Sequence, residues 1–158
     1  MSDTEAPLPP SKVLIVDDNA QNLELLEAYM DELEGVTTLC AVDGEKALDL
    51  VVRESPDLIL LDIMMPRMSG YEVCKRLKSD PGTKDIPIIM VTALVEMGDI
   101  ERAVDVGAED YVTKPVNRVD LLMRVRSLLR LRHLAVSDDR RDSIGDDPDV
   151  GRSEDSES

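Results

Sequence analysis

Four short apolar runs in this 158-residue chain each lead into a residue able to do chemistry. KVLIV (12–16) runs into Asp17 and Asp18, and LILL (58–61) into Asp62. IIMV (88–91) ends on Thr92, and DYVT (110–113) on Lys114 and then Pro115. Each residue alone has a plain structural use. Asp18 or Asn19 suits the cap of a following helix, Asp62 a turn before Met64-Met65-Pro66, Thr92 an extended backbone, and Lys114 a solvated surface. Recurrence at four run ends is what those uses leave unexplained. Three carboxylates brought together repel one another and need a cation, and an all-oxygen set suits hard Mg²⁺ or Mn²⁺. A hydroxyl and an ammonium added to that set make the parts for handling a phosphoryl group. The sequence has no GxxxxGK[ST] and no GxGxxG loop, so a nucleotide is not the obvious carrier. The remaining chemistry is an aspartate that itself accepts the phosphoryl group as nucleophile.

The elements that would position these residues follow from the hydrophobic period. Strand-length runs at 12–18, 37–43, 57–62, 86–93 and 110–114 are bounded by acids, Gly or Pro, and three are almost wholly apolar, as strands buried on both faces of a parallel sheet are. Between them the period turns helical. The spacing predicts helices over 19–34 (Leu23, Leu26, Tyr29, Met30, Leu33 inward), 44–54 (Ala47, Leu48, Val51, Val52) and 66–79. Two more are predicted over 97–106 and over 117–134, the last with Val119, Leu122, Val125, Leu128 and Leu129 as its inner stripe. Five alternating βα units imply an α/β fold with a doubly wound parallel sheet. In such a sheet the ligand crevice lies outside the carboxyl ends of the strands, where Asp17, Asp18, Asp62, Thr92 and Lys114 all fall.

Composition narrows the function. The net charge is −16, with two acids in 1–11 and nine acids against three arginines in 137–158. An acidic body repels phosphate backbones, and three tyrosines with no Phe or Trp offer few stacking platforms, so nucleic acid is not expected as a direct partner. No stretch approaches the ~20 apolar residues of a membrane span. The opening MSDTEAPLPP lacks the basic and apolar segments of a secretory signal, so a cytoplasmic location is expected. Cys40, Cys74 and the single histidine, His133, cannot build a thiol or imidazole metal cluster. Residues 1–11 and the acidic tail 135–158 read as disordered flanks of one domain over 12–134.

VDD at 16–18, LLDIMMPRMSG, VTA and DYVTKP together resemble the signature set of receiver domains from bacterial two-component response regulators, over about residues 12–134. The resemblance implies a three-layer α/β/α sandwich with flavodoxin-like strand order 2-1-3-4-5. It implies that Asp62 is the phosphoacceptor, and that Asp17, Asp18, Asp62 and the backbone carbonyl of Met64 hold Mg²⁺ or Mn²⁺. Thr92 is then the switch hydroxyl and Tyr111 the aromatic that turns inward with it. Lys114 is the lysine that pairs with the phosphoryl group, aimed by a cis peptide to Pro115. Such a domain is not an enzyme in its own right. It takes its phosphoryl group from a sensor histidine kinase or a histidine phosphotransfer protein, and it switches the surface formed by the fourth helix, fifth strand and fifth helix. Within the family, LLDIMMPRMSGYEVCKRLK and RVRSLLRLRHL look most similar to receivers that precede diguanylate cyclase (GGDEF) outputs.

Two alternatives share parts of this pattern. An aspartate-dependent phosphatase of the haloacid-dehalogenase type needs DxDx[TV] where this chain has DIMM. A pseudo-receiver, a pure interaction module, would not require all five polar residues. Two positions depart from the polar side chains that often orient an attacking water in receivers: Met64 and Leu94 are apolar, which implies a slowly hydrolysed phosphoryl group. The fifth helix continues its apolar stripe through Leu131 and Leu134, beside Arg124, Arg126, Arg130, Arg132 and His133. That pattern fits a basic helix end, a homodimer or relay helix, or a surface screened by the acidic tail.

Overall fold

The structure, a computed structural model, describes residues 7–93 and 96–145, with side chains to residue 136. Strands β1 (Ser11–Val16), β2 (Val36–Ala41), β3 (Leu58–Asp62), β4 (Ile88–Thr92) and β5 (Asp110–Thr113) alternate with five helices. These are α1 (Ala20–Met30), α2 (Gly44–Glu54), α3 (Gly70–Lys78), α4 (Met97–Asp105) and α5 (Arg118–Gly145). The strands form one parallel sheet in the order β2-β1-β3-β4-β5. Strand order reverses at β1, with β2 to one side and β3 to the other, and this switch puts the ends of β1 and β3 beside each other.

The two-residue period of the strands divides the core. Val13, Ile15, Leu58, Leu60, Ile89 and Val91 pack on one face with Leu23, Leu26 and Met30 of α1 and Leu121, Val125 and Leu129 of α5. Leu14, Val16, Ile59, Leu61, Ile88 and Met90 pack on the other with Ala47, Val51, Val73, Cys74 and Leu77. Burial on both faces accounts for the unbroken apolar runs. Two inward assignments are corrected. Val119 and Val52 point to solvent, 64% and 75% exposed, and Leu121 takes the inner position of α5, because the 121-125-129 row sets the phase of that helix.

Several boundaries differ from the sequence expectation, and α1 ends at Met30 rather than 34. Residues 7–11 are not a loose flank: Leu8 is buried in the α1–α5 core and Ser11 begins β1. Ser11 Oγ lies 2.8 Å from His133 Nε2 and donates to Pro9 O, while Ser11 N–H donates to Gly35 O. Leu8, one apolar residue among small and polar neighbours, was outweighed by its context. The helix α3 starts at Gly70 rather than 66, because Arg67 takes a left-handed φ of 68° and Ser69 caps the helix through Glu72 N–H. Helix α5 runs past 134 to Gly145, since neither Gly nor Pro interrupts the sequence from Arg118 until that glycine. The tail from 146 and residues 1–6 lie outside the described residues.

Candidate functional site

The carboxyl ends of β1 and β3 set the site. Asp17 directly follows β1 and Asp62 closes β3. Both are almost wholly buried, at 1% and 4% exposure, whereas Asp18 is exposed. One oxygen from each of Asp17, Asp18 and Asp62 lies within 4.8 Å of the others. The bland use of Asp18 does not hold, for Asn19 is the helix cap and its side chain accepts from Asn22 N–H. Asn19 N–H in turn donates to Asp17 Oδ1 at 2.9 Å, which fixes that carboxylate and leaves Oδ2 for the site. Sequence reasoning gave Asn19 only a capping role. The signal for its second role was an Asp two residues before a helix cap.

Lys114, the residue after β5, reaches across the sheet edge. Its Nζ donates to Asp17 Oδ2 and to Asp62 Oδ1, both at 3.3 Å. The β4–β5 register carries it there: Thr92 pairs with Thr113, and Lys114 N–H donates to Thr92 O. The Lys114–Pro115 peptide is cis. Thr92 is 1% exposed, one position beyond the Asp62–Val91 pair of the β3–β4 register. Tyr111 is half-buried against the core on the α2–α3 side, one turn of the pleat before Thr113. Met64, in the loop after β3, is 62% exposed. Leu94 lies outside the described residues.

Electrostatics follow the geometry. Burial, and next the neighbouring charge of Asp17, push the Asp62 carboxyl up to about 6, against the opposing pull of Lys114 and a backbone contact from Met64. A lysine between two buried carboxylates leaves the cluster one negative charge in excess, and more once Asp18 is counted. That excess, presented by oxygen donors alone, fits a hard divalent cation.

Residues 13–126 match the response regulator receiver domain family. The chain belongs to that family. Response regulator PleD of Caulobacter vibrioides is 46% identical over 123 residues, covering 77% of this chain and 27% of that protein. The receiver spans about a quarter to a half of the length of the curated relatives it matches. A solved response regulator from Chloroflexus aurantiacus superimposes with a TM-score of 0.73 at 35% identity, covering 77% of this chain and 98% of that one. The receiver domain of the sensor histidine kinase PA1611 from Pseudomonas aeruginosa, solved with magnesium in its active site cleft, does so with 0.69 at 29% identity, covering 75% and 97%. The flavodoxin-like order and the acidic cluster thus stand as the resemblance implied. A receiver homologous to phosphoacceptor domains of response regulators leaves the phosphatase and pseudo-receiver alternatives unfavoured. The match is to a signalling family rather than a family of catalysts. Among the described residues no helix is long and apolar enough to cross a membrane.

Proposed function

We propose that Asp62 accepts a phosphoryl group from the phosphohistidine of a sensor histidine kinase or a histidine phosphotransfer protein. The observation that carries this reading is the buried Asp62 carboxylate, held with Asp17 by one lysine at the carboxyl edge of the sheet, with Asp18 at the rim. Asp17, Asp18, Asp62 and the Met64 carbonyl are the donors that would hold Mg²⁺ (or Mn²⁺), which supplies positive charge against the incoming phosphoryl oxygens. Asp62 attacks phosphorus, the N–P bond breaks as the O–P bond forms, and the imidazole leaves with the electron pair. Lys114 offsets the charge carried on the phosphoryl oxygens. Thr92 then turns its hydroxyl to a phosphoryl oxygen, Tyr111 moves inward, and the α4–β5–α5 surface changes its partner or its self-association. A homodimer through that surface or through α5, and a GGDEF-type output elsewhere in the intact regulator, belong to the same reading, as does a cytoplasmic setting. The apolar Met64 beside the acyl phosphate orders no water, so the phosphoryl group is long-lived.

The deciding experiment is incubation with Mg²⁺ and acetyl phosphate, followed by mass spectrometry of the peptide containing Asp62. A hydroxylamine-labile phosphate on Asp62, absent without metal and absent from Asp62→Asn, is the expected result. An unlabelled wild type beside a competent receiver refutes the reading.

A further inference from the structure

Helix α4 is the most lightly seated helix of the domain. Of its nine residues only Ala103 is buried, while Met97 and Val104 are 68% and 67% exposed. Its other anchors come from α3. The Tyr71 hydroxyl donates to Asp99 O at 3.2 Å, the Arg102 guanidinium sits 4.2 Å over the Tyr71 ring, and Cys74 Sγ meets Val106 O at 3.4 Å. Tyr71 is itself 5% exposed, so its ring is fixed from the α3 side. A cavity of about 480 Å³ joins the loop after the site to these anchors, walled by Ile63, Met64, Met65 and Pro66 and by Tyr71, Asp99 and Arg102.

The start of α3 is equally tied to Asp62. Gly70 N–H donates to Ile63 O at 2.9 Å, and a Cβ on Gly70 would lie 2.3 Å from Asp62 O. No side chain fits there, so the first turn of α3 rests directly on the backbone of the acceptor residue. A contiguous chain of contacts therefore runs from Asp62 through Gly70 and Tyr71 to Asp99 and Arg102 on α4.

We propose that Tyr71 is a positioning residue that couples the main chain at Asp62 to helix α4, by a route through α3 that is separate from Thr92 and Tyr111. This rests on the phosphoacceptor reading above and adds a second input to the same switching surface. Displacement of the β3–α3 loop when the site is charged shifts the first turn of α3, and Tyr71 transmits that shift because its hydroxyl and ring hold α4 at two points. A coupling of this kind is established by a thermodynamic cycle rather than by proximity.

The test uses the whole chain as wild type, Tyr71→Phe and Arg102→Gln, each with and without acetyl phosphate and Mg²⁺. Mass spectrometry reads labelling at Asp62, and hydrogen exchange reads α4 (97–105). Tyr71→Phe keeps the ring and loses only the hydroxyl. It is expected to label at the wild-type rate and to exchange about fivefold faster in α4 when unlabelled, the population change that one neutral hydrogen bond supports. The decisive quantity is the factor by which labelling changes α4 exchange, which should shrink by half or more in both variants. A tether with only a structural role would leave that factor equal to wild type, and equality overturns the proposal. So does a labelled wild type whose α4 exchange does not change. An unlabelled wild type refutes the phosphoacceptor reading instead, and the coupling with it.

Discussion

Replacing the acceptor should strengthen the fold. With its carboxyl at about 6 against an ordinary 3.8, ionised Asp62 is less favourable in the folded chain than in the unfolded one by about 3 kcal/mol. An acid raised in this way binds more protons folded than unfolded, so its contribution to stability is lost as pH rises from about 4 through 6. Asp62→Asn mimics the protonated side chain and escapes that loss. In EDTA, urea denaturation should find the variant more stable than wild type by about 1 kcal/mol at pH 4.5 and by about 3 kcal/mol at pH 7.5. Saturating Mg²⁺ should stabilise the wild type and narrow the gap, since binding to the folded state alone adds stability. A difference that is flat with pH, or an asparagine variant less stable at pH 7.5, would show that burial and Asp17 do not load this site as described.

Three further outcomes follow from particular contacts. Lys114→Met removes the cation bonded to both buried carboxylates; acetyl phosphate labelling, followed by mass spectrometry, should slow by ~100-fold and Asp62 should titrate higher still by NMR. Met64→Asn places a polar group beside the acyl phosphate, and the label should be lost about tenfold faster in a hydrolysis time course, less than the ~100-fold or more of a general base because an amide orients the water without taking its proton. Leu8→Ala should cost about 2 kcal/mol in urea denaturation, as for a buried leucine, whereas a disordered flank would give no change.

How far the sequence carried the fold depended on where one signal stood alone. The signal was redundant in β1, β3 and β4, whose unbroken apolar runs are buried on both faces of the sheet, as expected. The site was legible because strand ends in a parallel sheet share one edge, so Asp17, Asp62, Thr92 and Lys114 needed only correct strand limits to be grouped. Contacts between elements were less legible. No local pattern indicates that the hydroxyl of Tyr71 meets Asp99 on another helix. The start of α3 was misplaced because Pro66 is acceptable in a first helical turn, and only the backbone at Arg67 reveals a loop. At Val119 and Leu121 two stripes competed, and packing against β3 and α1 settled the choice.

The hydrogen bond between Ser11 and His133 closes the domain across 122 positions of sequence. The match to the family as a whole runs from 13 to 126, yet Leu8, Ser11, Leu129 and His133 all lie outside that span and occupy or seal the interior. A fragment trimmed to the recognisable motif would expose a seam where the start of β1 now meets the later turns of α5. The cooperative unit is therefore wider than the signature by which it is recognised, and excision should respect residues 7 to 136.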